Sequence, residues 1–100
     1  MLVAIAIPIF TSQLERSRQA TDLANIRSSY AEATTKVLET GAAASGSEYK
    51  VQNKNGKLDK IDTAGLNASL TGFDLDATTA VTGTICVSVD ADGNVTAITK

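Results

Sequence analysis

Apolar and polar residues are unevenly distributed along this chain. LVAIAIPIF (residues 2–10) has no polar side chain and holds the only proline, Pro8. Residues 11–22 are polar nearly all round, with Leu14 the main exception. Leu23, Ile26, Tyr30, Ala33 and Val37 then recur at spacings of 3, 4, 3 and 4. This is one apolar stripe on a helix, suited to packing onto a sheet or a partner helix. In the same register the stripe runs back into Gln19, Arg16 and Ser12, all polar, so it is predicted to stop near residue 20. Neither glycine nor proline interrupts Thr11–Thr40, and strong or neutral helix formers dominate there. Glu32 and Lys36 stand in the favourable i, i+4 order, and Gly41 is placed as a C-cap. The pattern predicts one helix approaching 40 residues, roughly 60 Å at about 1.5 Å per residue. A domain of this size cannot cover it, so one end must project or be buried by other molecules.

The remaining pattern is shorter in period. GAAASGSE (41–48) reads as a loop of small residues. EYKVQ (48–52) alternates Tyr49 and Val51 as a short strand, ended by the turn signal NKNG (53–56). Residues 57–80 hold Leu58, Ile61, Leu66, Leu70, Phe73 and Leu75 at irregular spacing and read as a packed loop with a helical turn. TICVSV (84–89) puts Ile85, Val87 and Val89 on one face and Thr84, Cys86 and Ser88 on the other. DADGN (90–94) is a turn with Gly93 suited to positive φ, and VTAITK (95–100) returns as a hairpin partner. The predicted fold class is α+β: a long N-terminal α-helix packed on a small antiparallel β-sheet that ends in a C-terminal hairpin. Residues 1–22 form a projecting apolar half and polar neck. Residues 23–100 form a globular head, with 41–80 its variable loop region and 84–100 its hairpin.

Composition narrows the chemistry. The net charge of −2 and pI near 4.9 argue against nucleic acid as a direct partner. There is no histidine, so the commonest general base and metal ligand are missing. Cys86 is the only cysteine. It rules out an internal disulfide and reads as a small buried strand residue. DADGN lacks the glycine spacing and the downstream glutamate of an EF-hand loop. The pairs Asp59 with Asp62 and Asp74 with Asp76 read as solvated loop charges. Asn67-Ala-Ser and Asn94-Val-Thr match a short glycosylation sequon. No catalytic residue, cofactor site or metal site is expected, and the chain does not read as an enzyme. The neck charges Glu15, Arg16, Arg18 and Asp22 have two readings. They are either a solvated helix surface or complementary pairs between neighbouring helices of an assembly, where such pairs set register.

The opening apolar run is about nine residues, against roughly 20 for a membrane span. A charged leader and a cleavage site, which a secretory signal needs, are not visible. A buried core segment, or the end of a longer apolar helix that starts upstream, remain. Residues 2–33, LVAIAIPIFTSQLERSRQATDLANIRSSYAEA, resemble the N-terminal helix of type IV pilins and related pseudopilins of bacteria. The cues are LVAIAIP, the proline near the end of the run, Phe10, the Ser/Gln/Arg neck with Arg16 and Arg18, and the head-packing stripe after Ala20.

That resemblance implies a pilin fold and a structural role as the major pilin of a cell-surface filament, a homo-oligomer. Leu2, Val3, Ile5, Ile7, Pro8, Ile9 and Phe10 would form its filament-core helix. It implies anchoring in the lipid membrane before assembly. It also implies two partners for the full-length form, a prepilin peptidase and the inner-membrane pilus assembly machinery. The family's basic leader, methylated first residue and nearby glutamate do not occur in this sequence, so the native start is expected upstream. The family's usual C-terminal disulfide is missing, because Cys86 is alone. A pseudopilin of a type II secretion or DNA-uptake machine is the alternative within the family. A secreted or membrane-peripheral binding module is the alternative outside it. Pro8 removes one helical hydrogen bond and is expected to loosen Ala4–Pro8.

Overall fold

The computed structural model describes residues 2–59, 61, 75 and 79–100, with helix side chains from residue 13 onward. Among these described residues one helix, α1 (Leu2–Thr40), precedes four short strands. These are β1 (Ala44–Ser45), β2 (Tyr49–Lys50), β3 (Thr84–Val89) and β4 (Val95–Thr99). The helix is 39 residues long, and the longest extent of the molecule is 60 Å, so α1 runs its whole length. The backbone stays helical through Pro8, and the loosening expected over Ala4–Pro8 does not appear as a break. Gly41 ends α1 as expected: at φ +70°, its N–H donates to the Val37 carbonyl at 2.7 Å. A glycine takes this conformation without the Cβ clash.

β3 is the hub of the sheet. β4 lies antiparallel along one edge, pairing Ile85 with Thr99 and Val89 with Val95. β1 and β2 divide the other edge, also antiparallel. Ala44 and Ser45 face Val89 and Ser88, while Tyr49 and Lys50 face Ile85 and Thr84. The pairing slips by one residue between these pieces, across Gly46–Glu48. The sequence around β1 read as loop. Its residues have weak strand preference, but the Gly46 N–H bonds the Val87 carbonyl at 2.9 Å and continues the ladder. The edge strand is therefore one strand broken by a kink. A further bridge joins Lys57 to Ala80. Of the predicted loop over 57–80, the residues 60, 62–74 and 76–78 lie outside the described ones, as do Asn67, Asp62, Asp74 and Asp76.

The core forms between α1 and the sheet. Ile26, Ala33 and Val37 of the helix are buried with Ile85, Val87 and Val89 of β3 and Val95 and Ile98 of β4. Leu23 and Tyr30 pack against this cluster, and Leu58, Leu75 and Val81 extend it. All five residues of the predicted helix stripe thus meet the core, and the period-two face of β3 is the one observed. Val95 and Ile98 are both buried although three positions apart, because register shifts interrupt the β3–β4 ladder. The beta-branched residues of β3 suit a strand.

Cys86 is free and buried, and its thiol donates to the Gly46 carbonyl at 3.6 Å. DADGN is a hairpin turn. The Asp90 carboxylate accepts the N–H groups of Asp92 and Asn94, each at 2.9 Å, and Gly93 sits at φ +90°.

Candidate assembly surfaces of the helix

The inward face of α1 does not stop where its apolar stripe stops. It continues through Asp22 and Gln19 to Glu15, whose relative exposures are 0%, 0% and 6%. The chain leaving β2 explains this. Val51 makes its N–H bond to Gly83, and residues 52–55 then cross the helix without using the sheet. Asp22 Oδ1 accepts the Gln52 N–H at 2.7 Å and Asp22 Oδ2 accepts the Asn53 N–H at 2.8 Å. Glu15 accepts the Lys54 N–H at 3.0 Å and the Asn55 N–H at 3.1 Å. Gln19 Nε2 lies between two carboxylates, donating to Glu15 at 3.0 Å and Asp59 at 2.9 Å. Asn53 completes the arrangement by donating its amide to Asp22 Oδ2 and the Val81 carbonyl.

Burial pushes the Glu15 carboxyl up. The Gln19 hydrogen bond, the N–H groups of Lys54 and Asn55, and nearby Arg18 outweigh it and hold the group below its ordinary value. This corrects two expectations. Residues 11–22 are not an uncovered neck throughout, since the head reaches down to Glu15. Glu15 and Asp22 are also engaged within the chain rather than open for pairing between helices. Backbone N–H dipoles match the charges of both, and Arg18 adds a smaller attraction at Glu15. Arg16 is exposed and Arg18 partly so, and these two remain available.

Midway along the inward face, Ser29 is fully buried. Its hydroxyl donates to the Ser47 carbonyl and accepts the Val87 N–H, both at 2.9 Å. It thereby ties α1 to the kink of the edge strand and to the central strand β3. Glu32 and Lys36, placed as an i, i+4 pair by sequence, each reach the edge strand instead. Glu32 accepts hydrogen bonds from Ser47 and from the Tyr49 hydroxyl, the latter at 2.7 Å. Lys36 donates to the Ser45 carbonyl at 3.0 Å.

The outward face is different in kind. Ser17, Ala20, Ala24, Ser28, Ala31 and Thr35 are all exposed and follow one another at spacings of 3 or 4 residues. They form a lane of small side chains opposite the buried face. It ends at Leu38, which is 82% exposed. The apolar stripe drew attention to the inward face and left this lane unnoticed; the signal was its helical spacing of Ala, Ser and Thr. The helical backbone carries residues 2–10 about 20 Å beyond Glu15 at 1.5 Å per residue.

Among the described residues no helix is long and apolar enough to cross a membrane, and no group of three or more His, Cys, Asp or Glu is placed to hold a metal ion. These geometries define a helix-on-sheet α+β domain whose helix has one face closed by its own head and one face open. Comparison with family models, curated proteins and solved structures finds no match.

Proposed function

We propose that this chain is a structural subunit of a type IV pilus, its major pilin, with a pilin head built on α1 and polymerising through that helix. The observation that carries the reading is the division of one unbroken helix. Its residues 2–10 are apolar in sequence on every side, while from residue 17 its outer face is a lane of small exposed side chains. Side chains of this size let neighbouring helices approach closely, and an all-round apolar segment needs partners on all sides.

In this reading residues 2–10 lie first in lipid, as the end of a longer apolar helix, and then among the same segments of neighbouring subunits. Repeating one rotation and rise gives a heterologous contact that never closes, hence a fibre. Arg16 and Arg18 meet acidic groups of adjacent subunits and set their register. The heads face outward on the cell surface. The test is electron microscopy of cells producing the full-length protein, together with a strain lacking it. Surface filaments that contain this chain and vanish with it are expected. A chain that stays monomeric, with filaments unaffected by its loss, overturns the proposal.

A further inference from the structure

We propose that residues 52–55 form an acid-released strap, latched to α1 by the carboxylates of Asp22 and Glu15. Four consecutive backbone N–H groups, from Gln52 to Asn55, point at these two side chains. The latches stand seven positions apart on α1, about two turns, so both carboxylates face the strap. Backbone bonds hold the strap's two ends to the segment leading into β3, and in its middle the Asn53 amide donates to the Val81 carbonyl at 3.0 Å. Val51 bonds the Gly83 carbonyl at 3.1 Å, and the Gly56 carbonyl accepts the Val81 N–H at 2.8 Å.

Residues 52–55 are Gln, Asn, Lys and Asn, and their described bonds to the helix are all polar. A protonated carboxyl is a much weaker acceptor than a carboxylate, and it has one proton that must itself find a partner. The charged groups around Glu15 are Arg18 on α1 and, through the Gln19 bridge, Asp59, with Lys57 at 4.0 Å from Asp59. Around Asp22 the partners are N–H groups and the Asn53 amide.

Because the Glu15 carboxyl lies below its ordinary value of 4.5, its latch is fully closed above that value and opens as pH falls through the lower folded one. The apolar contacts between α1 and β3 have no such dependence. Acid therefore lifts the strap and uncovers the Glu15–Asp22 face while the helix stays on the sheet. The head has two shapes next to the point where the helix leaves it. This inference is independent of the filament reading, since it concerns a single chain.

The experiment is residue-resolved amide hydrogen exchange of the whole chain, each rate referred to its intrinsic value at that pH. At pH 7 the amides of residues 52–55 are expected to be protected. As the pH is lowered stepwise below 4.5, the amides of 54 and 55 lose protection by tenfold or more, on the order expected for bonds to a charged acceptor, while the Val87 and Lys100 amides keep theirs. Glu15→Gln releases 54 and 55 about tenfold at pH 7, and Asp22→Asn does so for 52 and 53. Loss of protection at 54 and 55 only together with Val87, or protection there that persists until the whole chain unfolds, overturns the inference. The wild-type pH series alone decides it if either variant fails to fold.

Discussion

Gly46 in the kinked edge strand meets Ser29 of the helix with no room for a side chain. A Cβ on Gly46 would lie 2.5 Å from Ser29 Oγ and 2.6 Å from the Ser29 carbonyl carbon. The contact involves helix backbone, which cannot rotate away. Gly46→Ala is therefore expected to destabilise the fold by about 3 kcal/mol, at the upper end for overpacking. Ser29→Ala leaves the Val87 N–H without its partner and should cost about 1–3 kcal/mol. It removes the hydroxyl from the Gly46→Ala clash but not the carbonyl, so the double variant should stay well below either single one. Denaturant unfolding midpoints at constant slope measure all three. An unfolding midpoint for Gly46→Ala equal to wild type would contradict the packing described.

Glu32 and Tyr49 form a pair that titrates at both ends of the pH scale. Hydrogen bonds from Ser47 and Tyr49 hold the Glu32 carboxyl below its ordinary value of 4.5. The bond to Glu32 in turn raises the Tyr49 hydroxyl above 10.0. The depressed carboxyl contributes stability above its unfolded value, lost as pH falls through the folded one. The raised phenol contributes stability below its unfolded value, lost as pH rises through the folded one. Glu32→Gln is expected to bring the Tyr49 ultraviolet titration back toward 10.0, and Tyr49→Phe to move the Glu32 carboxyl signal up. A Tyr49 titration that does not respond to Glu32→Gln would refute the coupling.

Ala24 lies in the exposed lane and touches nothing in the buried core. Ala24→Glu should leave the unfolding midpoint within about 0.5 kcal/mol of wild type, as surface changes usually do. On the proposed filament reading it should abolish filaments in cells, because a bulky charge would stand between helices. Normal filaments from this variant would remove the lane from the interface.

Pro8 supplies no N–H to the helix, so the Ala4 carbonyl lacks its intrahelical partner. Pro8→Ala restores that bond and should stiffen the segment. On the proposed filament reading, filaments of this variant are expected to stretch less under a given pull, with the head unchanged in stability. Identical force–extension curves would rule out Pro8 as a compliant joint.

Much of the framework was legible because it repeats. Leu23 to Val37 follow the helical period, Ile85 to Val89 the strand period, and Gly41 and Gly93 mark reversals with residues suited to them; NKNG does not, because the chain pairs at Lys57 with Ala80 in the same sense as at Lys50 with Thr84. Glu15, Gln19 and Asp22 were misread for a physical reason. On a helix, polar side chains suggest solvent, and here the burial of Glu15 and Asp22 depends on N–H groups some 30 to 40 positions away in sequence, and that of Gln19 on the Asp59 carboxylate 40 positions away. β1 escaped notice because Ala and Ser do not favour strands. Its place is set by how closely Gly46 lets the chain approach Ser29. The outward lane was readable in principle, since its signal is a period in side-chain size rather than in hydropathy.

The contacts that join head to helix run from Glu15 to Val37, parallel to the helix axis, with hydrogen bonds along the whole length and apolar packing from Leu23 onward. A tension applied along that axis therefore loads them together, in shear, instead of peeling them one after another. The head is attached to its rod the way a long lap joint is attached, and its resistance to being pulled off grows with the length of the overlap.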